Sequence, residues 1–147
     1  MLIHLGFMSC FVLADKIPVN IHVDDNYKPY SYKSVSGSAA GVYIDVLQTI
    51  FDKMGKYKVV MIPVPWARGK SLMEAGEGYG LAPVFFHGHD WGYLYPYTLH
   101  FFEERIGVFC RIGISPRSRK EWPWSFRDLH VVNMKGFDGW GDRVSLR

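Results

Sequence analysis

Between Val19 and Ala82 the spacing of apolar residues switches repeatedly between a period of two and one of about 3.6, and few folds are open to a chain patterned this way. Val19 to Val23 alternates with β-branched residues and predicts a strand, and the polar, Pro-containing run Asp24 to Gly41 predicts a loop or hairpin. Val42 to Met54 predicts a helix, because Val42, Val46, Leu47, Ile50, Phe51 and Met54 fall on one stripe and Gly55 supplies a stop. Tyr57 to Pro63, rich in Val and Ile, predicts a second strand. Trp66 to Ala75 predicts a second helix, with Pro65 before it and Gly76 after it, and Tyr79 to Ala82 predicts a third strand. Strand, helix, strand, helix, strand implies an α/β fold, since parallel strands need crossovers and right-handed crossovers lay helices on the faces of the sheet. Such sheets bind ligands at the carboxyl ends of their strands.

Beyond Ala82 the pattern is less regular. Pro83 to Thr98 reads as a loop, Phe101 to Ile112 as a longer strand leaving this lobe, and Gly113 to Pro123 as its connection. Trp124 to Leu129 holds one helical turn, and Val131 to Met134 resembles a strand followed by Gly136, Gly139 and Gly141. A chain of 147 residues buries about two-thirds of its unfolded surface, enough for one real core. With 48% hydrophobic and 21% charged residues, neither a disordered chain nor a multi-span membrane protein is indicated. Aromatics at 16% exceed what a small core needs, so they either enlarge the core or line a pocket for a flat or partly apolar solute. The net charge of +3 resides in the tail, where residues 112–147 hold seven Lys/Arg against four Asp/Glu. Arg117, Arg119 and Lys120 lack the aromatic interleaving of a nucleic-acid surface and read as a solvated loop.

The longest uncharged stretch, Leu2 to Ala14, is too short to span a bilayer as a helix. It reads either as the apolar part of a secretory signal or as a buried first strand, and its position and length favour the signal. Cys10 and Cys110 are the two cysteines; loss of the signal leaves Cys110 alone, so no disulfide framework is implied. Cys110 lies in an apolar run and reads as a small buried hydrophobe.

Particular stretches, taken in order, resemble the extracellular solute-binding proteins, family 3, that serve polar amino-acid ABC transporters. Asp24-Asp25-Asn26-Tyr27-Lys28-Pro29-Tyr30 resembles the family's loop after its first strand, and Gly37 and Gly41 with Tyr43-Ile44-Asp45-Val46-Leu47 resemble its turn into the first helix. Pro65-Trp66-Ala67-Arg68 with Gly76 and Leu81 is similar to a branch bearing Trp-x-Arg at the second helix. Tyr95-Pro96-Tyr97-Thr98 with Glu103-Glu104 resembles the stretch before the hinge strand, and Trp124 to Leu129 with Gly136 to Gly141 resembles entry into a second lobe. The resemblance implies a periplasmic-binding-protein-like (type II) fold, in which two lobes close on a solute. Residues 1–14 are then a signal peptide, 15–111 a first α/β lobe with its outgoing hinge strand, and 112–147 the start of an incomplete second lobe. It also implies a periplasmic or secreted, non-catalytic protein without a cofactor, whose partners are a small polar solute and the membrane permease of an ABC transporter. The same fold also serves sensors, and an exposed lobe edge is open to pairing with a second copy in a homodimer.

On that resemblance the ligand-binding residues are expected to be Asp24, Tyr27, Tyr30, Trp66 and Arg68. Asp24 follows the first strand directly and suits an amine, Tyr27 and Tyr30 are placed to stack, and Trp66 is a candidate wall that also reads as core. Asp90 and Trp91 stand about where many amino-acid binders of the family place an Arg for the solute carboxylate. A carboxylate there repels rather than anchors, so Arg68, near a helix start, is the expected substitute. His87, His89 and Asp90 offer metal-type donors without a recognised third and fourth ligand, and read as an ordinary loop. Gly136 to Gly141 lacks the Lys-Ser/Thr pair of a phosphate loop, no Gly-x-Ser-x-Gly elbow occurs, and Glu103 and Glu104 alternate across the expected strand, which argues against paired catalytic acids.

Overall fold

The computed structural model describes residues 15–86, 88–105, 109 and 113. The expected signal segment 1–14, Cys110, His87 and every element expected after Gly113 lie outside the described residues. Three parallel strands form the main sheet: β1 (Ile17–Asp24), β5 (Tyr57–Val64) and β6 (Gly80–Ala82), in the order β5-β1-β6. A small antiparallel sheet of β2 (Asn26–Tyr27), β3 (Ser31–Lys33) and β4 (Ala39–Ala40) occupies the polar segment that reads as loop or hairpin. The helices α1 (Val42–Asp52) and α2 (Trp66–Glu74) are the two crossovers, and a short 3-10 turn spans Gly92–Leu94. This is the α/β class that the alternation predicts, a parallel sheet flanked by helices.

β1 is the axis of the unit. It pairs along its whole length with β5, from Ile17 opposite Tyr57 to Asp24 opposite Val64, and through Ile21, His22 and Val23 with β6. The first crossover therefore moves to one side of β1 and the second returns past it, which places α1 and α2 on opposite faces if both crossovers have the usual right hand. Burial is concentrated at the carboxyl end of β1, where His22, Val23 and Asp24 are all buried, together with Tyr43, Ile44 and Leu94. His22 is held by donating from Nε2 to the Glu77 carbonyl at 3.0 Å.

Two expectations change. The inner face of α1 is carried by buried Tyr43 and Ile44 with half-buried Val46, Leu47 and Phe51, so three residues of the expected stripe face inward, while Val42 and Ile50 are exposed and Met54 lies beyond the helix end. Phe101 to Arg105, expected to open a long strand, form none. Phe101 and Phe102 both pack on the Tyr43 ring, at centroid distances of 5.8 and 5.0 Å, whereas successive residues of a strand point to opposite faces.

Candidate functional site

The loop after β1 is built by backbone satisfaction around one acid. Asp24 Oδ1 accepts the Asn26 N–H at 2.9 Å, the local turn that Asp favours, and the Asp24 carbonyl accepts the hydroxyl of fully buried Ser31 at 2.6 Å. The chain then doubles back as β2 and β3, with the Tyr30 N–H donating to the Tyr27 carbonyl at 2.8 Å. Helix α1 has no side-chain N-cap. Its first orphan donors, the N–H groups of Val42 and Tyr43, are taken by the carbonyls of Pro29 and Tyr30 at 3.2 and 2.9 Å. Only glycine permits this approach, because Gly41 has φ of 122° and a Cβ there would collide with the Tyr30 carbonyl. The Tyr-rich loop and the first turn of α1 are thus fastened together.

Asp24 and Tyr27 line a cavity of about 1000 Å³. Its floor is apolar, drawn from the inner stripe of α1 with Ile21, Met73 and Leu81. Polar groups gather at one end, where Asp24, Tyr27 and Glu104 all line it and the Tyr27 hydroxyl donates to Glu104 Oε2 at 2.8 Å. Five rings form a connected cluster beside that end, four of them lining the cavity. Tyr30 lies between Tyr27 and Tyr43, with centroids 5.1 and 5.4 Å away, and Tyr43 in turn meets Phe101 and Phe102. Burial raises the Asp24 carboxyl above its ordinary value, the Asn26 N–H partly opposes this, and the neighbouring Asp25 charge adds to it. The Tyr27 phenol is likewise pushed well up, by burial first and then by its hydrogen bond to Glu104 and that residue's charge.

Of the five residues expected at the site, Asp24, Tyr27 and Trp66 line this cavity. Tyr30 borders a smaller adjoining cleft of about 200 Å³ shared with Tyr27, Tyr43 and Glu104. Arg68, exposed on α2, lines neither. Sequence reasoning missed Tyr43, the hub of the ring cluster, and Glu104. The spacing of Tyr43, Leu47 and Phe51 could have found the first; nothing local marks the second, which reaches Tyr27 across 77 positions. Asp90 is exposed and, like Trp91, lines neither space, while the Lys70 ammonium lies 5.0 Å from the centre of the Trp91 ring. His89 packs on Tyr95, and among the described residues no three metal-type donors converge.

The sequence of residues 19–78 matches the bacterial extracellular solute-binding proteins, family 3. No curated protein matches the chain. Among solved structures, the L-cystine solute receptor of Neisseria gonorrhoeae in its unliganded open conformation is 24% identical over 46% of this chain and 28% of its own, with a TM-score of 0.40. An ancestral cationic amino acid solute binding protein is 22% identical over 48% of this chain and 31% of its own, with a TM-score of 0.40. An ancestral cyclohexadienyl dehydratase is 28% identical over 42% of this chain and 25% of its own, with a TM-score of 0.36. The chain thus spans less than a third of the length of each of these structures. Among the described residues no helix is long and apolar enough to cross a membrane. The segment from Val19 to Gly78, which carries most of β1, the Tyr-rich loop, both helices and β5, is the part of the chain that is similar to the bacterial extracellular solute-binding proteins, family 3.

Proposed function

We propose that the chain is a non-catalytic, periplasmic or secreted binder of a small polar solute, an amino acid or related compound, that delivers it to the permease of an ABC transporter. Residues 15–111 are the solute-contacting unit in this reading, and 112–147 open a second one. One observation carries it: a buried carboxylate at the carboxyl end of the central parallel strand lines an aromatic-walled cavity, which is where parallel sheets hold their ligands. Asp24, Tyr27 and Trp66 supply charge, hydrogen bonding and an apolar wall, with the Tyr30 ring packed at a tilt against Tyr27. Arg68, exposed on α2, contacts the solute only if α2 presents it to the mouth on binding.

Calorimetric titration with amino acids, small peptides and amines tests the proposal. Saturable binding that Asp24→Ala abolishes and Arg68→Ala weakens supports it in full; binding indifferent to Arg68→Ala removes that residue from the site, and a folded protein that binds nothing refutes the receptor. A second reading has its own support, because β5 and β6 each have one strand neighbour among the described residues and so present open edges. Pairing with a second copy through those edges predicts a dimer by light scattering, and a strict monomer excludes it.

A further inference from the structure

Resting on that binding role, we infer that the mouth of the cavity selects an organic cation that carries an aromatic or apolar body and no carboxylate, rather than a free amino acid. Two acids, Asp24 and Glu104, line the cavity, and among its described lining residues there is no Lys or Arg. Arg105 borders only the adjoining cleft, and Arg68 lines neither space. Asp24 is more than nine-tenths buried, yet among the described residues its carboxylate receives one hydrogen bond, the Asn26 N–H on Oδ1. A carboxylate withdrawn from water and lacking a cation is costly to hold, and an ammonium group entering the cavity removes that cost. Glu104 is oriented by the Tyr27 hydroxyl and adds a second negative charge on the same side.

The rings complete the selection. Tyr27, Tyr43, Phe101 and Phe102 all line the cavity, and the faces of such rings attract a cation as well as a flat apolar body. An amino acid placed with its ammonium on Asp24 brings its own carboxylate into a space whose described lining holds two acids and, apart from the imidazole of His100, no basic side chain. Discrimination therefore comes from repulsion of the carboxylate as much as from attraction of the amine.

Tyramine and tyrosine share ring, hydroxyl and amine and differ by the carboxylate, so calorimetric titration of the full chain with each isolates that group. Tyramine is expected to bind at least about tenfold more tightly than tyrosine, one tenfold step corresponding to a single modest charge interaction. Asp24→Asn is expected to erase most of that preference in protein whose circular dichroism shows it folded, and Glu104→Gln to reduce it. Tyrosine binding as tightly as tyramine, or binding by other amino acids with none by tyramine, overturns the inference and leaves the solute-binding role standing. Failure of every solute overturns both.

Discussion

Gly41 has φ of 122° and ψ of 170°, a region essentially closed to residues with a Cβ, and it stands where the carbonyls of Pro29 and Tyr30 cap the first N–H groups of α1. Replacing it with Ala imposes two costs. The backbone conformation alone costs about 1–3 kcal/mol. The added Cβ cannot coexist with the Tyr30 carbonyl, so the loop must move away from the helix and both capping hydrogen bonds stretch, at about 1 kcal/mol each. The sum, about 3–5 kcal/mol, is a large share of the roughly 5–15 kcal/mol that stabilises a typical domain. Gly37 is the internal control: its φ of 88° is also positive, but a Cβ there meets nothing nearer than the tip of the Lys33 side chain at 3.8 Å. Gly37→Ala therefore carries only the backbone penalty, about 1–2 kcal/mol. Urea denaturation of both variants measures the difference, and thermal melting should place Gly41→Ala on the order of 10 °C below the parent. Equal destabilisation of the two variants would show that the contact between the loop and α1 contributes nothing, and the account of how the Tyr-rich loop is positioned would fall.

Two further predictions concern the same end of the sheet. Asp24 has its folded-state pKa raised by burial, so the unfolded chain loses this proton first as pH rises, and stability present below the unfolded value is lost as pH climbs through the folded one. Asp24→Asn should match the parent's melting temperature below about pH 3 and exceed it at about pH 7, and a parent that gains on the variant as pH rises contradicts the assignment. Tyr43 is 3% exposed and touches three other rings, so Tyr43→Ala should cost about 3–5 kcal/mol by denaturant titration. A cost below about 1 kcal/mol, that of an ordinary surface change, would mean the ring cluster is not a packed unit.

Much of the scaffold was legible because it depends on local periodicity. β-branched alternation marked β1, Val and Ile runs marked β5, and Pro65 with Gly76 bracketed α2 to within a residue or two. The Asp24 position was legible for the same reason, as the first residue past an alternating run. The cavity was not. Its ring cluster joins Tyr27 and Tyr30 from a loop, Tyr43 from a helix and Phe101 and Phe102 from a segment that reads as a strand, and only tertiary packing brings them together. The alternation expected of Glu103 and Glu104 has no force where no strand forms. Arg68 followed from its place near a helix start, but nearness to a helix start says nothing about which side of the helix a residue takes.

The most direct test of solute capture at this mouth is an amide NMR titration of the isotope-labelled chain with the tightest ligand found by calorimetry. Saturable shifts should centre on Asp24, Asn26, Tyr27 and Trp66 and spread through Tyr43 to Phe102. Shifts confined to the exposed surface around Arg68, with the Asp24 loop unmoved, would contradict it.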